Sequence, residues 1–152
     1  MEKGLNSYYG MGYNDYLYAK HSIDVAKVIG NYNGVASMAS QSAEKLLRAV
    51  IEQYFIDDED CIRLMKSHNL RSLLEKIKTR FPNCPLDSKD YKWLGDFYYD
   101  ARYPGDNFIV VGEDSGLECI RLLDELLHWI DSLEEPVANK PSGLGKLNDF
   151  IK

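Results

Sequence analysis

Residues 35–55, VASMASQSAEKLLRAVIEQYF, constrain the fold of this chain more than any other stretch. Ala36, Ala39, Ser40 and Ala43 recur at steps of three and four, and Leu47, Val50 and Tyr54 continue the same face. That period belongs to one stripe of a 3.6-residue helix. Small side chains along the stripe let a second backbone come close, which predicts a helix at the centre of a bundle. Its other side carries Gln41, Glu44, Lys45, Arg48 and Glu52. Glu44 and Arg48 are four apart with the acid first, the favourable order for a helical ion pair.

The rest of the chain supplies partners for such a helix. Residues 1–12, with three glycines, read as an irregular lead-in. Asn14 or Asp15 then offers an N-cap, and Tyr16, Ala19, Ile23 and Ala26 follow helical spacing up to Gly30. A connection as short as residues 31–34 makes the first two helices antiparallel neighbours. The acid run at 57–60 suits the start of a short helix. It lacks the glycine and the ligand spacing of a calcium loop. Ser67 is the expected cap of the next helix, with Leu70, Leu73, Leu74, Ile77 and Phe81 as its apolar stripe and Pro82 as its stop. Asp87 or Ser88 caps another, with Tyr91, Leu94, Tyr98 and Ala101 on one side, ending near Arg102 because Pro104-Gly105 breaks the chain. Glu113, Asp114 and Ser115 open a last helix whose apolar face, from Cys119 to Leu133, is wide enough to suggest burial against more than one neighbour, a second copy included. No run shows clear strand alternation. The expected class is all-α, an up-and-down antiparallel four-helix bundle with short additional helices. Residues 1–135 form the bundle, and 136–152, rich in Pro, Gly, Ser and Asn, form a flexible tail.

Bulk properties narrow the partners. At 152 residues the chain is one domain. A net charge of −6 argues against a duplex-DNA binder. No apolar run reaches the roughly 18 residues that span a membrane, and the first residues lack a signal-peptide core, so the expected location is cytoplasmic. Three dispersed cysteines give neither a disulfide framework nor a zinc site. Phosphate-loop, dinucleotide and HExxH motifs are missing, so no cofactor and no metal is expected. His21, His68 and His128 are isolated in sequence.

Three pieces stand in order along the chain: Ser37 to Val50; Ser67-His68-Asn69-Leu70-x-x-Leu73; and Tyr98-Tyr99-Asp100-Ala101-Arg102-Tyr103-Pro104-Gly105, just before the leucine-rich last helix. Together they resemble the HEPN domain family (higher eukaryote and prokaryote nucleotide-binding). Its members read A-x-x-A-x-E-K-x-L-K-A-L, then T/S-H-x-L-x-x-L, then A-R-Y-P. Arg48 stands where the family often has Lys.

The resemblance covers about residues 16–133 and implies a compact antiparallel bundle, frequently a homodimer. Many small members act with a minimal nucleotidyltransferase partner. Some are metal-independent toxin ribonucleases of toxin–antitoxin pairs, carrying Arg, four to six residues, then His. In that pair the Arg holds the scissile phosphate and the His moves a proton. Here Asn107, Phe108 and Ile109 occupy the positions where that His would fall after Arg102. The expectation is therefore a non-catalytic module, with no catalytic residues, that binds a nucleotide, RNA or a nucleotidyltransferase partner. Arg102, Tyr103, His68, Glu44 and Arg48 are the candidate binding residues. The alternative is a ribonuclease using Arg102 with His68. A purely structural role for Arg102, tied to Asp100 or Glu44, competes with both.

Overall fold

The computed structural model describes residues 4–133, and the tail expected at 136–152 lies outside the described residues. Six helices follow one another: α1 (Tyr8–Ile29), α2 (Asn33–Tyr54), α3 (Cys61–Met65), α4 (Leu70–Arg80), α5 (Ser88–Asp100) and α6 (Glu113–Asp131). Among the described residues there is no strand, and the class is all-α as expected.

The central position of α2 follows from its small residues. Ala36, Ala39 and Ala43 are fully buried, and Ser40 nearly so. α2 packs against all five other helices. Its closest neighbour, α1, approaches through a glycine. A Cβ added to Gly12 would lie 2.9 Å from Leu46 Cγ, and the Gly12 carbonyl accepts a 2.6 Å bond from Ser42 Oγ. The expected polar side of α2 is also largely covered: Glu44 is only 6% exposed.

That contact corrects the start of the first helix. α1 begins at Tyr8, not near Asn14, and Ser7 caps it by accepting from the Gly10 N–H. Gly10 and Gly12 lie inside the helix. Glycine costs about 1 kcal/mol in a helix interior, and here the packing of α2 onto Gly12 offsets that cost. Asp15, expected as a cap, is a buried partner of Lys45 instead. Gly30 ends α1 in the left-handed conformation, φ 72°.

Two other expectations shift. Asn69, not Ser67, caps α4, accepting from Ser72 N–H at 3.1 Å. Ser67 Oγ instead accepts from the Asn69 N–H. On α5 the inward residues are Tyr91, Leu94 and Phe97, and Tyr98 is left half-buried at the surface. Asp87 caps α5 as expected, and Lys76 Nζ lies 2.7 Å from Asp58 and 3.0 Å from Asp60, which gives the acid run a counter-ion.

The wide face of α6 is accounted for inside one chain. Cys119, Leu122, Leu123 and Leu126 are fully buried, and Leu127, Trp129 and Ile130 nearly so. α6 packs on α2, α1 and α5. Its width therefore reflects three intramolecular neighbours and calls for no second copy.

Candidate functional site

Glu44 is the one buried carboxylate on α2, and two cationic or ring nitrogens converge on it. Arg48, one turn on, places Nη2 3.4 Å from Oε2. His68, in the segment between α3 and α4, places Nδ1 2.6 Å from Oε1. Arg48 Nη2 also donates to the Ser67 carbonyl at 2.8 Å, so Glu44 and Arg48 together fix the residue pair that opens α4. Arg48 Nε is buried without a partner among the described residues. The Tyr8 ring lies 5.9 Å from this guanidinium. An ionised carboxylate accepts, so Nδ1 of His68 is the donor to an ionised Glu44 in this short bond.

His68 reaches the second half of the site through an aromatic ring. Its imidazole stacks on Tyr98, with centroids 5.1 Å apart and planes 23° from parallel. Arg102 lies over the same Tyr98 ring at 4.9 Å and over Tyr103 at 5.1 Å. Tyr99 meets Tyr98 edge-on at 4.7 Å. The result is a run of contacts from Glu44 through His68 and Tyr98 to Arg102 and Tyr103.

Arg102 is exposed, and among the described residues it makes no ion pair with Asp100, Glu44 or any other acid. The acid-tied role weighed for it has no counterpart in the structure. Beside these residues lies a cavity of about 350 Å³, walled by His68, Asn69, Gly95, Asp96, Tyr98 and Tyr99. That is at the low end of small-molecule clefts, about 300–1,000 Å³.

The loop that carries Arg102 and Tyr103 is anchored by a residue the sequence did not single out. Asn33, in the first turn of α2, is buried. Its Nδ2 donates to the carbonyls of Ala101 at 3.1 Å and Ile109 at 2.8 Å. Its Oδ1 accepts from the Val111 N–H at 2.7 Å. Tyr32 N–H adds a 2.9 Å bond to the Val111 carbonyl, and Ile109 N–H one of 2.8 Å to Asp100. One amide thus spans the loop from end to end. Gly116 lets α6 close over this junction, since a Cβ there would sit 2.7 Å from Tyr32.

The five candidate residues therefore fall into two groups joined by Tyr98. Glu44, Arg48 and His68 are in direct contact. Arg102 and Tyr103 lie beyond the ring. Phe108 and Ile109 stand exposed in the loop, and His128 is an exposed residue of the last turn of α6.

A family model of the HEPN domain matches residues 14–133, most of the chain. The chain belongs to the HEPN domain family. Comparison with curated proteins and with solved structures gives no match. Within this HEPN domain all three pieces of sequence that carried the resemblance meet at one place: α2 supplies Glu44 and Arg48, the segment between α3 and α4 supplies His68, and the end of α5 with its loop supplies Tyr98, Arg102 and Tyr103. No helix among the described residues is long and apolar enough to cross a membrane.

Proposed function

We propose that this HEPN domain is a non-catalytic binding module, acting as a homodimer, that takes a nucleotide or the nucleotide-bearing face of a nucleotidyltransferase partner. The observation that carries the reading is the setting of Arg102. Its guanidinium lies over two tyrosine rings and has no acid partner among the described residues. Stacking engages the face of a guanidinium and leaves its N–H edge free, and that edge matches a phosphate. Tyr103, half exposed, offers an aromatic surface to a base. His68 and the neighbouring cavity complete a site of nucleotide chemistry: positive edge, ring faces and a few polar groups.

The test is a thermal-shift series of the purified protein against nucleoside mono-, di- and triphosphates and short RNA oligomers. A ligand at about a hundred times its Kd stabilises by about 2.7 kcal/mol. The expected result is a shift that Arg102→Ala abolishes. No shift with any nucleotide or RNA overturns the nucleotide reading.

A second reading, a metal-independent ribonuclease, draws on the fact that His68 and Arg102 touch the same Tyr98 ring. It requires RNA cleavage by the parent protein and its loss in His68→Ala. The missing histidine after Arg102 weighs against it, because Asn107, Phe108 and Ile109 cannot act as acid or base near neutral pH.

A further inference from the structure

α5 carries charge where helix electrostatics disfavour it. Asp96 and Asp100 fall in its C-terminal half, toward the negative end of the helix dipole, and its last turn holds no basic residue. Lys92 pairs with Asp96 at 3.3 Å, with the base before the acid, the less favourable order for a pair four apart. Neither placement is the one that helix stability selects. All three residues line the cavity of about 350 Å³ beside His68. Tyr99 lines it too and is exposed, so its ring is a face on which a planar group can stack. Asn69, also at the cavity, has its Oδ1 committed to the Ser72 N–H, which leaves its side chain the donor nitrogen. Arg102 lies over the Tyr98 ring, a further part of the same wall.

We infer that this cavity takes the base of a guanine nucleotide whose phosphate lies against Arg102. The inference rests on the nucleotide reading of the site and names the base. Charge sets the direction of the ligand. Asp96 and Asp100 repel a phosphate from the cavity, and the guanidinium on Tyr98 attracts one, so the nucleoside points in and the phosphate out. The pairing groups then select the base. The Watson–Crick edge of guanine presents two donors side by side, N2–H and N1–H, followed by an acceptor, O6. A carboxylate accepts both donors at once, and an ammonium next to it donates to O6. Asp96, with Lys92 Nζ 3.3 Å from its Oδ2, offers this combination. On the same edge adenine presents one donor and one acceptor, cytosine one donor and two acceptors, and uracil one donor between two acceptors. None of these gives both carboxylate oxygens a donor, and guanine alone does.

Titration calorimetry of the intact protein with the four nucleoside 5′-monophosphates tests the assignment. GMP is expected to bind about tenfold more tightly than AMP, CMP or UMP, the discrimination that one good bidentate base contact supplies. Inosine monophosphate, which lacks the 2-amino group, is expected to lose most of that advantage. Asp96→Asn, at an exposed position, is expected to keep the far-UV circular dichroism of the parent, to lose the preference for GMP and to gain affinity for xanthosine monophosphate, whose 2-oxo group meets the new amide N–H. The dinucleotides UpG and UpA are expected to differ as GMP and AMP do, and the tighter of GMP and UpG tells a free nucleotide from an RNA end. Equal affinity for all four monophosphates, lost together in Arg102→Ala, overturns the inference and leaves the nucleotide site standing. A preference for GMP that Asp96→Asn does not change overturns it as well. Binding of no nucleotide overturns the nucleotide reading and the inference together.

Discussion

Nδ1 of His68 lies 2.6 Å from Oε1 of Glu44, and this bond joins the centre of α2 to the segment that opens α4. The partner oxygen faces Arg48, and both side chains of that ion pair are largely buried. Removing one member of a buried pair leaves the other charge uncompensated, at about 3–5 kcal/mol. Glu44→Ala is therefore expected to lose stability in that range by urea unfolding. Glu44→Gln, which keeps the volume and one acceptor, is expected to lose less. Equal unfolding midpoints for parent and Glu44→Ala would refute a structural role for the carboxylate.

Arg102 predicts the opposite pattern. It is exposed, and its contacts are with two rings. An exposed cation–π contact contributes about 0.5–1 kcal/mol. Arg102→Ala is expected to melt within a few degrees of the parent while nucleotide binding disappears. A large drop in melting temperature with binding intact would return Arg102 to a structural role.

Asn33 ties stability to the site. Asn33→Ala leaves two carbonyls and one N–H of the loop without their partner. Each buried group left unmade costs about 1–3 kcal/mol. The variant is expected to lose at least about 2 kcal/mol and to bind nucleotide more weakly than the parent, although Asn33 touches no ligand in the proposed site. Unchanged binding in a destabilised variant would separate the clasp from the function.

Alkaline pH gives a further test. Burial pushes the Cys119 thiol up to about 12, from an ordinary 9. Tyr9, Tyr16 and Tyr91 are also held well above the ordinary tyrosine value, first by burial and then by Asp131, Asp124 and Glu125 respectively. These groups lose their protons in the unfolded chain at lower pH than in the folded one. The stability they lend is therefore whole below about pH 9 and is lost as pH rises through 9 to 12 and above. Urea midpoints should hold from pH 7 to 9 and fall beyond. The same burial predicts that Cys119 reacts with a thiol reagent at pH 8 only after unfolding.

The central helix was legible in the sequence because its small-residue stripe is a local pattern with one geometric solution. The caps were harder. Gly10 and Gly12 look like loop residues until Leu46 is seen packed on Gly12, a contact made across more than thirty residues of chain. Ser67 and Asn69 are both good caps, and the Arg48 bond to the Ser67 carbonyl decides between them. At the site, Glu44, Arg48 and His68 were named and do meet, since each belongs to a motif. Tyr98 was read as core because its spacing fits the stripe of α5, yet Phe97 takes the core and Tyr98 joins the two halves of the site. Asn33 carried no local signal at all. An asparagine in a turn is ordinary, and only the folded chain shows that its partners lie some seventy residues away.

That clasp gives the loop a built-in reporter. Val111 N–H is held by Asn33, and Tyr32 N–H is held by the Val111 carbonyl. Losing the Asn33 amide frees the Val111 N–H and leaves the Ala101 and Ile109 carbonyls without this donor, so the protection of Val111 against deuterium reports whether the clasp is shut, whereas the Ala101 and Ile109 N–H groups bond to Phe97 and Asp100 and report on other contacts. The segment bearing Arg102 is thus held at both its ends by one side chain that lies outside the site, and a single amide proton reads that hold from a distance.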